Sequence, residues 1–194
     1  SGGMFLWVLD RLANDHQFRW SDGHRAVASL VGCLGVARDG LSEEELVALL
    51  SGNDAAGSDP SGDIAVLLQL LRPYLGRRGE RYAPLHRVFS EALLGVGITD
   101  ADRSLLGSDH PGPLDELSEV QRAHAQLASL FAEMPADHFR RLSEEAWHRI
   151  HSGDLDGAYT LLTDFVVLKS RVEAGMVRGV LDDMDALVRA ASDA

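Results

Sequence analysis

Apolar residues recur at helical spacing along most of this chain. In FLWVLDRLA (5–13), Phe5, Leu6, Leu9 and Leu12 fall on one helix face. Val27, Leu30, Val31 and Leu34 form a stripe over 24–37, and Gly40 follows as a stop. Ser42 and Glu45 are spaced as a capping box, so EEELVALL is expected to start a helix that ends by Gly52. After the soft segment GNDAAGSDPSGD, IAVLLQLL (64–71) is apolar almost all round, and Pro73 disfavours helix at Arg72.

The period then changes. PYL and RYA flank GRRGE, whose glycines suit a turn, and the pattern predicts a short two-stranded hairpin. Three helices followed by a small hairpin is the order of a winged helix. His86 heads the next helical stretch, in which Val88, Phe89, Ala92 and Leu93 share a face. Residues 95–113 read as a linker rich in Gly, Asp and Pro. Leu117, Val120, His124, Leu127 and Phe131 then share one face, and Pro135 separates that helix from 137–152. Short helices with tight connections fill the rest, with Gly153 as a stop and Asp154 as the next N-cap. Such a run packs as antiparallel pairs, like a small solenoid or its leading cap. The fold expected is mainly α: a winged helix with a two-stranded β wing, then an antiparallel helical connector.

Composition narrows the chemistry. The 194 residues carry a net charge of −12. Residues 1–100 hold 9 Arg against 13 Asp and Glu; residues 101–194 hold 8 Arg and 1 Lys against 17. So acidic a chain repels phosphate backbones overall, and nucleic-acid binding would need a local basic patch. Lys169 is the only lysine, and no GxxxxGK[ST] occurs. The apolar runs are too short to span a bilayer, and a cytoplasmic location is expected. A single cysteine, Cys33, lies among apolar neighbours and reads as a buried thiol without a nearby base.

Several apparent motifs carry less than they promise. Glu145 and His148 make one Glu-x-x-His, where a di-metal bundle needs two. The preferred reading of Glu144, Glu145, His148 and His151 is a solvated face beside a buried Trp147. SGDLDGAY has Gly157 at the sixth position of a calcium loop, but Thr163 stands where a bidentate Glu is needed. Asp182, Asp183 and Asp185 read as a solvated helix face. The helix before the hairpin offers only Gln69 and Arg72 to read bases, which argues against DNA recognition.

Taken in order, GGMFLWVLDRL, LVGCLGVARDGLSEEELVALL, LLRPYLGRRGERYAPLHRVFSEALL and the stretch from HAQLASLF to RVEAG resemble the signal-transducing STAND NTPases, relatives of NACHT and NOD-like receptors. The resemblance implies the end of a helical lid at 1–20, a winged-helix domain at 21–97, a linker at 98–113 and a helical connector at 114–194. It implies a Walker-bearing NTPase core upstream of Ser1, sensor repeats downstream, and a parent protein that binds ADP or ATP with Mg. This piece would hold no cofactor and catalyse nothing by itself. Its role would be regulatory, in settings such as bacterial defence, with a homo-oligomer as a further possibility.

In resembling proteins the winged helix folds back on the core at rest, and its histidine contacts the β-phosphate of ADP. Carried over, that histidine is His86, with Arg77, Arg78 and Arg81 as adjacent positive charge. Arg87 stands where plant members usually carry an aspartate. One charged hydrogen bond to phosphate contributes roughly 1.5–3 kcal/mol, enough to bias an equilibrium about tenfold. The plainer reading of His86 is a capping or core histidine, because a helix start is a poor place for a cation. The alternatives for the whole chain are a free-standing helical adaptor and, behind it, a winged-helix DNA-binding regulator.

Overall fold

The computed structural model describes residues 23–51, 61–85 and 113–193. The chain divides into two compact units, Ser1–Val120 and Gln121–Ala194. Among the described residues it is mainly helical, with one small three-stranded antiparallel sheet.

In the first unit, α1 (Gly23–Val36) is followed by β1 (Leu41–Ser42), α2 (Glu43–Ser51), α3 (Ser61–Leu71), β2 (Leu75–Arg78) and β3 (Arg81–Pro84). The expected stripes are its core: Leu30 and Leu34 from α1, Leu46 and Leu50 from α2, Ile64, Leu67 and Leu71 from α3 are all essentially sealed from solvent. Burying each such side chain contributes about 1.5–3 kcal/mol. Cys33 is sealed among them, and burial pushes its thiol up to about 12, so it stays protonated and unreactive.

The sheet is larger than the expected two-stranded wing. β2 and β3 pair from Leu75↔Pro84 to Arg78↔Arg81, so the turn is only Gly79–Glu80 and the strands take in Gly76 to Arg78. Gly79 has a positive φ of 63° and Glu80 does not, the pattern of a turn with glycine at its first central position. The extra strand is β1, whose Leu41 and Ser42 pair with Tyr82 and Arg81, giving the order β1-β3-β2. A two-residue strand has no visible period, which is why sequence alone missed it. Gly40 makes the pairing possible: its φ is 71°, and a Cβ there would lie 2.4 Å from the Tyr82 carbonyl oxygen.

Immediately after β1 the chain enters α2 through the expected capping box. The Ser42 amide donates to Glu45 Oε2 at 2.8 Å, and the Glu45 amide donates to Ser42 Oγ at 3.2 Å. Residue 42 thus closes the sheet edge and opens the helix.

The second unit takes up α4 (Pro113–Ala132) from Gln121 onward, then α5 (Phe139–Ser152), α6 (Leu155–Thr163), α7 (Phe165–Glu173) and α8 (Val177–Asp193). Its connections are tight for local reasons. Gly153 adopts φ 88° to end α5, and the Asp154 carboxylate then accepts from the Gly157 amide at 3.0 Å to start α6. Asp164 ends α6 and caps α7, accepting from the amides of Val166 at 2.7 Å and Val167 at 3.3 Å. Ala146, Ile150, Ala158 and Leu162 form the apolar centre against which Leu187 and Ala190 of α8 pack. Among the described residues no helix is long and apolar enough to cross a membrane.

Candidate functional site

Among the described residues two sets of side chains carry chemistry, one in each unit. On the first unit's hairpin, Arg77 and Arg78 are exposed on β2 and Arg81 is half-buried on β3. Alternation along a strand separates them. Arg78 lies directly across from Arg81, so these two share a face. Arg77 lies across from Tyr82 on the other face, its guanidinium 5.8 Å from the Tyr82 ring centre and its Nε donating to the Gly79 carbonyl at 2.8 Å. Like charges placed directly opposite repel, and here solvent and Asp39, 3.7 Å from Arg81, relieve the cost. The hairpin therefore presents Arg78 and Arg81 on one face and Arg77 on the other. His86, the residue expected to complete the cluster, lies outside the described residues.

The second unit holds the set that sequence reading did not assemble. Glu144, Glu145 and His148 are buried and Trp147 is only partly covered, the reverse of the expected solvated face beside a buried tryptophan. Their period explains the burial: Arg140, Glu144 and His148 are four apart on α5 and point the same way. Arg140 Nη1 donates to Glu144 Oε1 at 3.0 Å, and Glu144 Oε2 lies 3.5 Å from His148 Nε2. The other ring nitrogen of His148, Nδ1, meets Nδ1 of His124 on α4 at 2.8 Å. His124 also stacks on His151 at 5.1 Å between ring centres, and Phe131 stacks on His148 at 5.7 Å.

With both partners inside the unit, one ring must donate and the other accept. Burial first, and then the nearby His148 and His151, push the His124 imidazole down to about 3, so it is neutral at physiological pH. A zinc ion would hold two ring nitrogens about 3.3 Å apart, given bonds near 2.05 Å at a tetrahedral angle. At 2.8 Å the two nitrogens are hydrogen-bonded to each other instead. Among the described residues no three His, Cys, Asp or Glu side chains converge as metal ligands.

A second layer of charge surrounds this line. Glu145 takes hydrogen bonds from Arg141 at 2.9 Å and from Arg149 at 2.8 Å, and Arg149 also reaches Asp154. Arg171 on α7 donates to Asp183 on α8 at 2.6 Å, with both side chains sealed from water. Asp183 is thus no part of a solvated face, although Asp182 and Asp185 beside it are exposed. A depression between Arg141, Glu145, Leu161 and Arg171 encloses about 10 Å³, room for about one water.

No family model, curated protein or solved structure matches the chain.

The two sets differ in what they can do. The exposed Arg78–Arg81 face can meet an anion from outside. The buried histidine and ion-pair set faces other helices of its own unit and can fix their register. The sequence signal for it was present in three places: a histidine on the apolar face of α4, and the four-residue steps Arg140–Glu144 and Glu144–His148.

Proposed function

We propose that this chain is a non-catalytic regulatory module of a signal-transducing STAND ATPase, coupling the ADP or ATP state of an upstream NTPase core to a downstream sensor or effector. In this reading the first unit is a winged helix and the second a helical connector. The observation that carries it is the element order helix, strand, helix, helix, hairpin, closed by β1 onto β3, with Arg78 and Arg81 displayed at the hairpin tip. That is the arrangement a winged helix needs to put positive charge on a phosphate held by another domain.

The outer face of α3 supports docking on protein. Val66 and Leu70 are exposed there, 39% and 46%, beside Ala65 and Gln69. A helix that reads a DNA groove displays several polar side chains able to contact base edges, and here Gln69 is joined only by Arg72 just past the helix end. Its apolar character suits a protein surface, as contact with an NTPase core requires.

The test uses the longer protein in which these residues follow their own NTPase core. Bound ADP is expected, and Arg78→Glu combined with Arg81→Glu should speed release of a fluorescent ADP by about tenfold or more. Unchanged ADP retention in that variant, or no nucleotide in the intact protein, rejects the reading. A titration of the present chain with duplex DNA at low salt separates the DNA-binding alternative, which requires tight, salt-sensitive binding.

A further inference from the structure

Helix α8 is apolar on two sides. Inward, Val180 is buried, and Leu187 and Ala190 pack on the centre formed by Ala146, Ile150, Ala158 and Leu162. Outward, Val177, Leu181 and Val188 are 51%, 58% and 65% exposed, and Met184 between them is partly exposed. These four positions step by four, three and four residues, and Ala191, also exposed, continues the series. That is the spacing of a coiled-coil seam, two apolar positions in every seven. An ordinary solvated face would not keep that spacing with Val and Leu.

The charges beside the seam select the occupant. The seam is flanked on its open side by Arg178 and Asp185, both exposed, and on its other side by the inward-turned Val180 and Leu187. Against a parallel second α8, Arg178 and Asp185 would face those apolar positions and find no opposite charge. Against an antiparallel α8 the seam layers become Val177 with Val188 of the copy and Leu181 with Met184 of the copy. In that register Arg178 of each chain faces Asp185 of the other, and the pairing occurs twice because the arrangement is two-fold symmetric. The face is complementary to itself in one orientation only.

We propose that two copies of this chain associate through α8, antiparallel, along the Val177–Leu181–Met184–Val188 seam. This is independent of the STAND reading, since it concerns only what the second unit displays. It requires no movement of the fold, because the seam residues do not belong to the apolar centre of their own unit, apart from the partial packing of Met184.

Sedimentation velocity of the full 194-residue chain over a concentration series tests the proposal. A reversible monomer–dimer equilibrium is expected. Leu181→Asp should leave the chain monomeric at every concentration while its circular-dichroism melt stays close to that of the parent, since Leu181 is largely exposed. Arg178→Asp and Asp185→Arg should each weaken the dimer by about tenfold, as two facing pairs turn repulsive. The double reversal should restore it. A chain that is monomeric throughout overturns the proposal. So does a dimer untouched by Leu181→Asp, or a double reversal weaker than either single change.

Discussion

The two units solve the same packing problem with different interiors. Of the eight buried polar or charged side chains among the described residues, only Glu45 lies in the first unit, and it is engaged in a helix cap. The other seven lie in the second, in lines that join one helix to another. Among its described residues the first unit buries long Leu-rich stripes from α1, α2, α3 and the sheet. The second has Ala at several of its contact points, so less apolar area is available per contact. Buried ion pairs and a histidine pair replace it. An ion pair adds little net stability when intact, but losing one partner is costly, so it penalises every register in which the partners miss each other. The lesson is that a buried histidine pair here sets how α4 meets α5, and a buried ion pair how α7 meets α8, where apolar contact alone would leave slack.

The sharpest way to break this contrast is Arg171→Ala. It removes the guanidinium that Asp183 meets in an interior sealed from water and should cost the second unit about 3–5 kcal/mol. Urea unfolding followed by the half-buried Trp147 is the measurement. Replacing both partners, Arg171→Met with Asp183→Leu, should return stability to within about 1 kcal/mol of the parent. A mild effect of the single change would mean the pair does not fix register.

Acid should separate the units next. The folded His124 titrates near 3 and an unfolded histidine near 6.5, so the unfolded state binds the proton first. Stability contributed by neutral His124 is therefore complete above about pH 6.5 and is lost as pH falls from there toward 3, by up to about 1.4 kcal/mol per unit. The groups facing it from α5 are His148 and His151, with Glu144 behind His148. Urea midpoints measured from pH 7 to 5 should fall more steeply for the second unit than for the first, and His124→Gln should flatten that slope.

Changes in the first unit should act through backbone geometry. Gly40→Ala places a Cβ against the Tyr82 carbonyl at a positive φ and should cost about 1–3 kcal/mol. The smallest effect belongs to Ser42→Ala, which removes one side of the capping box for about 1 kcal/mol. Thermal melting of each variant reads both. If Gly40→Ala were silent, β1 would not be held as described.

Much of the fold was legible because it is written locally. Apolar stripes gave α1 and α4, an apolar run gave α3, Ser42 with Glu45 gave the start of α2, and Gly153 with Asp154 gave the α5–α6 corner. The hairpin was visible from its glycines, though its first strand runs three residues further into GRRGE, through Gly76, Arg77 and Arg78, than the turn residues suggested. The candidate site was legible only in part. Arg77, Arg78 and Arg81 were read as one positive group, and strand alternation splits them. His124 was correctly placed on an apolar face, yet nothing near it in sequence announces His148, 24 positions away.

By itself, then, the sequence determined, among the described residues, most of the helical segments and their stops, that Cys33 is buried, and that the hairpin carries arginine. These follow from neighbours within about one helical turn, where spacing and backbone preference act directly. Tertiary structure alone decided that β1 joins β3, that Asp183 and Glu144 are interior while Asp182 and Asp185 are not, and that α8 shows a second apolar face. Each of those depends on which surface another element covers. Burial is a property of the pair in contact, and a single helix written out in sequence does not say which of its faces will meet one.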